Sequence, residues 1–139
     1  MLAKKFALAF GIAVVFPAMI HSGVSIFSPP PKWPDHVAAD YALPEVQEKQ
    51  AAHRAATKVF QRHLFTVAVP LGLLAVAAGA FLLSPAIGTG LMFGGIFSVC
   101  DGFFNYWSEL SHTWKFLSLL AAFLVLLAVG FWKLERKEI

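Results

Sequence analysis

The sequence predicts an all-α membrane protein: four transmembrane helices, with a polar helix extending the second span outside the bilayer. Three observations predict it. Of the 139 residues, 58% are hydrophobic and only 14% charged, against about 25% charged in soluble domains. Mean hydropathy is +0.69. The apolar residues fall in runs long enough to cross a hydrocarbon core rather than alternating with polar ones.

The first span is expected over Phe6 to Phe27. Met-Leu-Ala-Lys-Lys precedes it, and a basic start before an apolar run is also the pattern of a secretory signal. The apolar character continues to Phe27, and no small-x-small cleavage site follows, so an uncleaved anchor is the better reading. Pro17 is expected to bend it, as membrane helices tolerate when neighbours satisfy the freed carbonyl.

Ser28 to Leu43 reads as an extended linker. Pro29, Pro30, Pro31 and Pro34 stop the helix and favour polyproline II, a stiff spacer. Trp33 and Tyr41 suit the membrane interface.

Pro44 to His63 reads as a polar helix continuous with the second span, Leu64 to Leu83. Pro44 suits a first helical position. Glu45 and Glu48 suit the N-terminal end, Lys58 and Arg62 the C-terminal end, and Glu45 with Lys49 makes an i,i+4 pair. Ala52, Ala55, Ala56, Val59 and Phe60 form a shallow apolar face suited to a partner helix or the membrane surface. A kink is expected at Pro70.

Ser84 to Thr89 carries Ser-Pro and Gly turn signals. The third span is expected over Ile87 to Trp107, ending in an aromatic belt of Phe103, Phe104, Tyr106 and Trp107. A turn over Ser108 to Thr113 leads to the fourth span, Trp114 to Trp132, and a charged tail, Lys133 to Ile139.

The third span carries most of the polar groups at membrane depth. Gly90, Gly94, Ser98, Asp101, Asn105, Ser108, Glu109 and His112 recur at three- or four-residue steps and fall within about a third of the helix circumference. Gly90, Gly94 and Ser98 form a small-xxx-small ladder for close helix packing, expected within the monomer. Asn105, Glu109 and His112 continue this polar face. Asp101 is costly in lipid and needs a partner. With four spans, His21 and Asp101 each lie about two turns below the same surface, some ~9–10 Å. The sequence therefore proposes a His21–Asp101 pair. It either orders the bundle, the favoured reading, or relays protons or cations.

Other chemistry is weakly supported. The net charge of +3 and pI near 9.2 come from single basic residues beside apolar runs, where topology explains them, so no nucleic-acid partner is expected. The five histidines share no ligand spacing, so no metal or other cofactor is expected. There is no phosphate-binding glycine loop and no nucleophile elbow, so no enzyme is expected. The single cysteine, Cys100, forms no intrachain disulfide. Lys4 and Lys5 share a side with Lys133, Arg136 and Lys137. Lys32, Lys49, Arg54, Lys58, Arg62 and Lys115 lie on the other. The density of charge near the ends favours both termini in the cytoplasm.

Gly94-Gly95-x-Phe97, Asn105-Tyr106-Trp107, Trp114-Lys115-Phe116-x-x-Leu119-Leu120 and Leu124 to Leu127 resemble the second half of small four-span membrane proteins of prokaryotes. The resemblance covers about a third of the chain. It implies a four-span fold in a prokaryotic inner membrane, and no activity or site residue comes with it.

Together these readings point to a small non-enzymatic integral membrane protein, an accessory or structural subunit whose partners are lipid and either other membrane subunits or copies of itself. The alternative is a small oligomeric transporter or channel for protons or small cations using Asp101. A third reading makes the Pro-rich linker and polar helix an interaction module.

Overall fold

The computed structural model describes residues 1–32 and 44–135, with side chains to Trp132. Trp33, Pro34, Tyr41 and most of the expected linker lie outside the described residues, as do the side chains of the charged tail.

The architecture is all-α, as composition and hydropathy predict. The described residues form four helices: α1 Leu2–Phe27, α2 Pro44–Phe81, α3 Pro85–Tyr106 and α4 His112–Glu135. All four are long and apolar enough to cross a membrane. α1, α3 and α4 rise roughly 33–39 Å, a little more than the ~30 Å of a hydrocarbon core. α2 is one unbroken helix of 38 residues, about 57 Å long, so its polar half must project beyond any bilayer its apolar half spans.

The helix ends differ from expectation by a few residues, each for a local reason. α1 starts at Leu2, taking Lys4 and Lys5 into its first turns. Pro17 and Pro70 stay within continuous helices. Pro85 opens α3 behind an extended Ser84, so the connection after α2 is shorter than the expected Ser84–Thr89 turn. Proline has no N–H to lose at a first helical position, which is why it starts the helix there. α4 begins at His112 and ends at Glu135.

Close contacts fix the packing order. Gly72 lies against Gly95 and Gly79 against Gly88, so α2 and α3 run antiparallel. Gly90 lies against Ala9 and Ile12, and Gly94 against Ile12 and Phe16, so α1 and α3 run parallel. Ile20 and Val24 of α1 pack with Phe60, Leu64 and Ala68 of α2 in a buried cluster. α1, α2 and α3 thus form a three-helix core. α4 stands outside it, touching α2 near its C-terminal end, where Trp132 meets Phe81 edge-on at 5.2 Å. Val129 is the sole buried apolar side chain among the described residues of α4.

Two expected surfaces are divided by the packing. Of the shallow apolar face on the polar half of α2, Phe60 is buried against α1 and Ala52, Ala55, Ala56 and Val59 are exposed. The expected aromatic belt also splits. Phe104 and Trp107 are exposed, while Phe103 is buried and meets Phe65 of α2 edge-on at 5.4 Å. Phe103 follows Gly102, whose missing side chain brings α2 close.

Candidate functional site

The polar groups at membrane depth meet near the end of the bundle where α1 and α3 finish. Asp101 lies five residues before the end of α3, about 7–8 Å along the axis, and His21 lies near the end of α1. The His21 Nδ1–H donates to Asp101 Oδ2 at 3.1 Å. One turn further along α3, the Asn105 amide donates to Asp101 Oδ1 and to the Asp101 carbonyl, each at 2.9 Å. Each carboxylate oxygen therefore has a donor. That is the condition for keeping such a group at the edge of an apolar region. The carboxylate only accepts when ionised, which fixes the imidazole tautomer with hydrogen on Nδ1.

The second helix completes the site. The Phe60 ring stands edge-on to His21, with centroids 5.7 Å apart, and Phe60 is buried. Sequence reading placed Phe60 on a docking face and did not foresee this contact. Side-chain exposures of 44% for His21 and 35% for Asp101 leave the pair open on one side. The Ser25 hydroxyl, on the same face of α1, bonds back to the His21 carbonyl at 2.9 Å and takes no part in the pair.

The small-residue ladder divides between two roles. Gly90 and Gly94 are buried against α1. A Cβ on Gly90 would stand 2.6 Å from the Ala9 carbonyl oxygen, and one on Gly94 would stand 3.0 Å from Phe16. Ser98 is buried, with its hydroxyl donating to the Gly94 carbonyl at 2.9 Å. A second ladder, which the sequence reading missed, faces α2. Gly88, Gly95 and Gly102 recur every seven residues on α3, opposite Gly79, Gly72 and Phe65 on α2. The signal was present in that spacing, because seven residues return nearly to the same helix face.

The polar face does not continue past Asn105. α3 ends at Tyr106, whose carbonyl accepts from the Glu109 and Leu110 N–H groups in a tight turn. Glu109 points from that turn to Lys58 of α2, with Nζ and Oε2 3.3 Å apart. His112 opens α4. The expected turn over Ser108 to Thr113 is present, so Asn105 lies on α3, Glu109 in the turn and His112 on α4.

The other histidines do not gather. His63 shares a 3.0 Å hydrogen bond with Ser28 at the outer end of α1. His36 lies outside the described residues. Among the described residues no three His, Cys, Asp or Glu side chains converge as a metal site would require. Cys100 is exposed on the outer face of α3.

The site can order three helices through its hydrogen bonds and the Phe60 contact. Further along α3, toward its N-terminal end, the next polar side chain is Ser98, whose hydroxyl proton is engaged by Gly94. No protein-family model, curated protein or solved structure matches this chain. What the fold and site define is therefore a class, a four-helix protein of membrane-spanning proportions with a hydrogen-bonded carboxylate near one end.

Proposed function

We propose that this is a small non-enzymatic integral membrane protein that packs with other membrane helices as an accessory or structural subunit. The observation that carries the reading is α4. Val129 is its one buried side chain among the described residues, and its main neighbour is the end of α2. In lipid, helices associate through close packing and hydrogen bonds rather than through burial from water. A span with so little packing of its own offers its length to another subunit or to a second copy. Phe116, Phe123 and Leu124 are exposed along it.

The reading places the protein in a prokaryotic inner membrane with both termini cytoplasmic. The alternating helices set the two ends on one side, and Lys4 and Lys5 stand at that end, which supports a cytoplasmic location. Photo-crosslinking groups at positions 123 and 124, introduced in native membranes, are expected to capture discrete protein partners. The same groups at Leu74, on the exposed face of α2, are expected to capture lipid. Lipid adducts alone from α4 would remove the basis for the reading.

The His21–Asp101–Asn105 cluster favours a second reading, transport of protons or small cations through Asp101. The polar path from Asp101 toward the opposite face ends at Ser98, so such a path needs water or another subunit to complete it. Purified protein in proteoliposomes is expected to show no flux. Flux that Asp101→Asn abolishes would make transport the primary function.

A further inference from the structure

A groove of about 630 Å³ lies between α1 and α2 on the face turned away from α3. Its size falls within the ~300–1,000 Å³ range of pockets that hold small molecules. Ile20, Gly23, Val24 and Phe27 of α1 and Val67 and Leu71 of α2 form its walls. The polarity is at one end, where Ser28 and His63 are joined by their 3.0 Å hydrogen bond. No acidic side chain lines it. Thr66 also lines the groove, and its hydroxyl donates to the Arg62 carbonyl at 2.8 Å. Arg62 thus stands one turn beyond Thr66 on the same face of α2. It is exposed and has no carboxylate partner among the described residues. From His63 to Leu71 the wall runs about 12 Å along the helix axis.

We propose that this groove binds one anionic phospholipid, with an acyl chain along the apolar walls and the phosphate at Arg62 and His63. The chemistry is matched end to end. The walls offer hydrocarbon to hydrocarbon. Arg62 supplies a permanent positive charge and a fork of donors suited to phosphate oxygens. The mouth sits where α1 ends and α2 turns from apolar to polar sequence, the height of a headgroup when these helices span a bilayer. The charge of Arg62 at the mouth favours an anionic headgroup over a zwitterionic one. The inference does not depend on the accessory-subunit reading, because it concerns the isolated chain.

Gly23 supplies a clean test. It lines the groove, and a Cβ built there meets nothing within 4 Å. A side chain at Gly23 therefore starts into open space, and Gly23→Leu is chosen to occupy the groove. Full-length protein is delipidated, offered equal amounts of phosphatidylglycerol and phosphatidylcholine, and examined by native mass spectrometry. The wild type is expected to retain one phosphatidylglycerol in preference to phosphatidylcholine. Arg62→Gln is expected to reduce that preference about fivefold, in line with the contribution of one basic residue at a membrane surface. Gly23→Leu is expected to lower retention of both lipids at unchanged thermal stability. Equal retention of the two lipids by the wild type would overturn the proposal, as would unchanged retention by Gly23→Leu. A dimer that Gly23→Leu dissociates would also overturn it, assigning the groove to a second copy of the chain.

Discussion

Asp101 shows how a single residue in this protein combines cost with constraint. A carboxylate at the edge of an apolar region is costly unless its oxygens are occupied, and here His21 occupies one and Asn105 the other. The Asn105 bonds are within α3 and form wherever that helix forms. The His21 bond requires α1 to sit beside α3 at one particular height. Asp101→Asn and His21→Asn are each expected to destabilise the bundle. The double variant is expected to lose less than the sum, with a coupling of about 0.6 kcal/mol, the mean for side-chain hydrogen bonds between membrane helices, and no more than about 1.7 kcal/mol. Reversible unfolding in mild detergent measures the cycle, and strictly additive losses would show that the 3.1 Å contact contributes nothing. The Lys58–Glu109 pair, partly exposed beyond the ends of α1 and α3, belongs to the class of ion pairs worth about 0–1 kcal/mol.

Helix pairing is decided by glycine. On α3, Gly90 and Gly94 face α1, while Gly88, Gly95 and Gly102 face α2. Two neighbours approach one helix closely because it carries two separate strips without side chains. The α2–α3 strip is the longer of the two, and along it backbone meets backbone. A Cβ on Gly72 would stand 2.6 Å from the Gly95 carbonyl oxygen, and one on Gly79 would stand 2.6 Å from that of Gly88. Backbone cannot swing aside as a side chain can. Gly72→Ala is therefore expected to cost about 1–3 kcal/mol, the usual range for overpacking. Gly94→Ala, which meets the Phe16 side chain at 3.0 Å, is expected to cost less. Gly11→Ala and Gly130→Ala meet nothing within 4 Å and are expected to be neutral or stabilising, since alanine is the better helix former by up to about 1 kcal/mol. Thermal stability in detergent ranks the four, and equal stability of Gly72→Ala and Gly11→Ala would contradict the close approach. Leu124→Ala, on the outer face of α4, is expected to leave the bundle unchanged.

At the scale of the molecule, three helices form a core and a fourth stands beside it. The polar half of α2 extends past the ends of α1 and α3, so whichever side holds it carries the larger part of the protein outside the bilayer. With both termini cytoplasmic, that side is the outer one. Single cysteines at Gln50 and Lys4 in a Cys100→Ala background give a direct test with a membrane-impermeant thiol reagent. Gln50→Cys is expected to react from outside intact cells, and Lys4→Cys only after permeabilisation. The reverse pattern would invert the topology while leaving the fold as described.

Composition and the placement of apolar runs determined the helical class, the four long apolar helices and the fusion of a polar helix with the second of them. These properties are local. A run of apolar residues free of charges forms a helix in lipid because its backbone has no other hydrogen-bonding partner there, and Pro70, the proline inside α2, does not end the helix. Helix length also set His21 and Asp101 at comparable heights. Tertiary structure decided which faces meet. Both glycine strips lie on α3, and only packing shows that one receives α1 and the other α2. The turn after Tyr106 was expected over Ser108 to Thr113, but only the packing shows that it carries Glu109 to Lys58 of α2. The inward turn of Phe103 and the seating of Phe60 on His21 depended likewise on the distance between helix axes. That distance is set by pairs of residues far apart in the chain, and no single segment of sequence contains it.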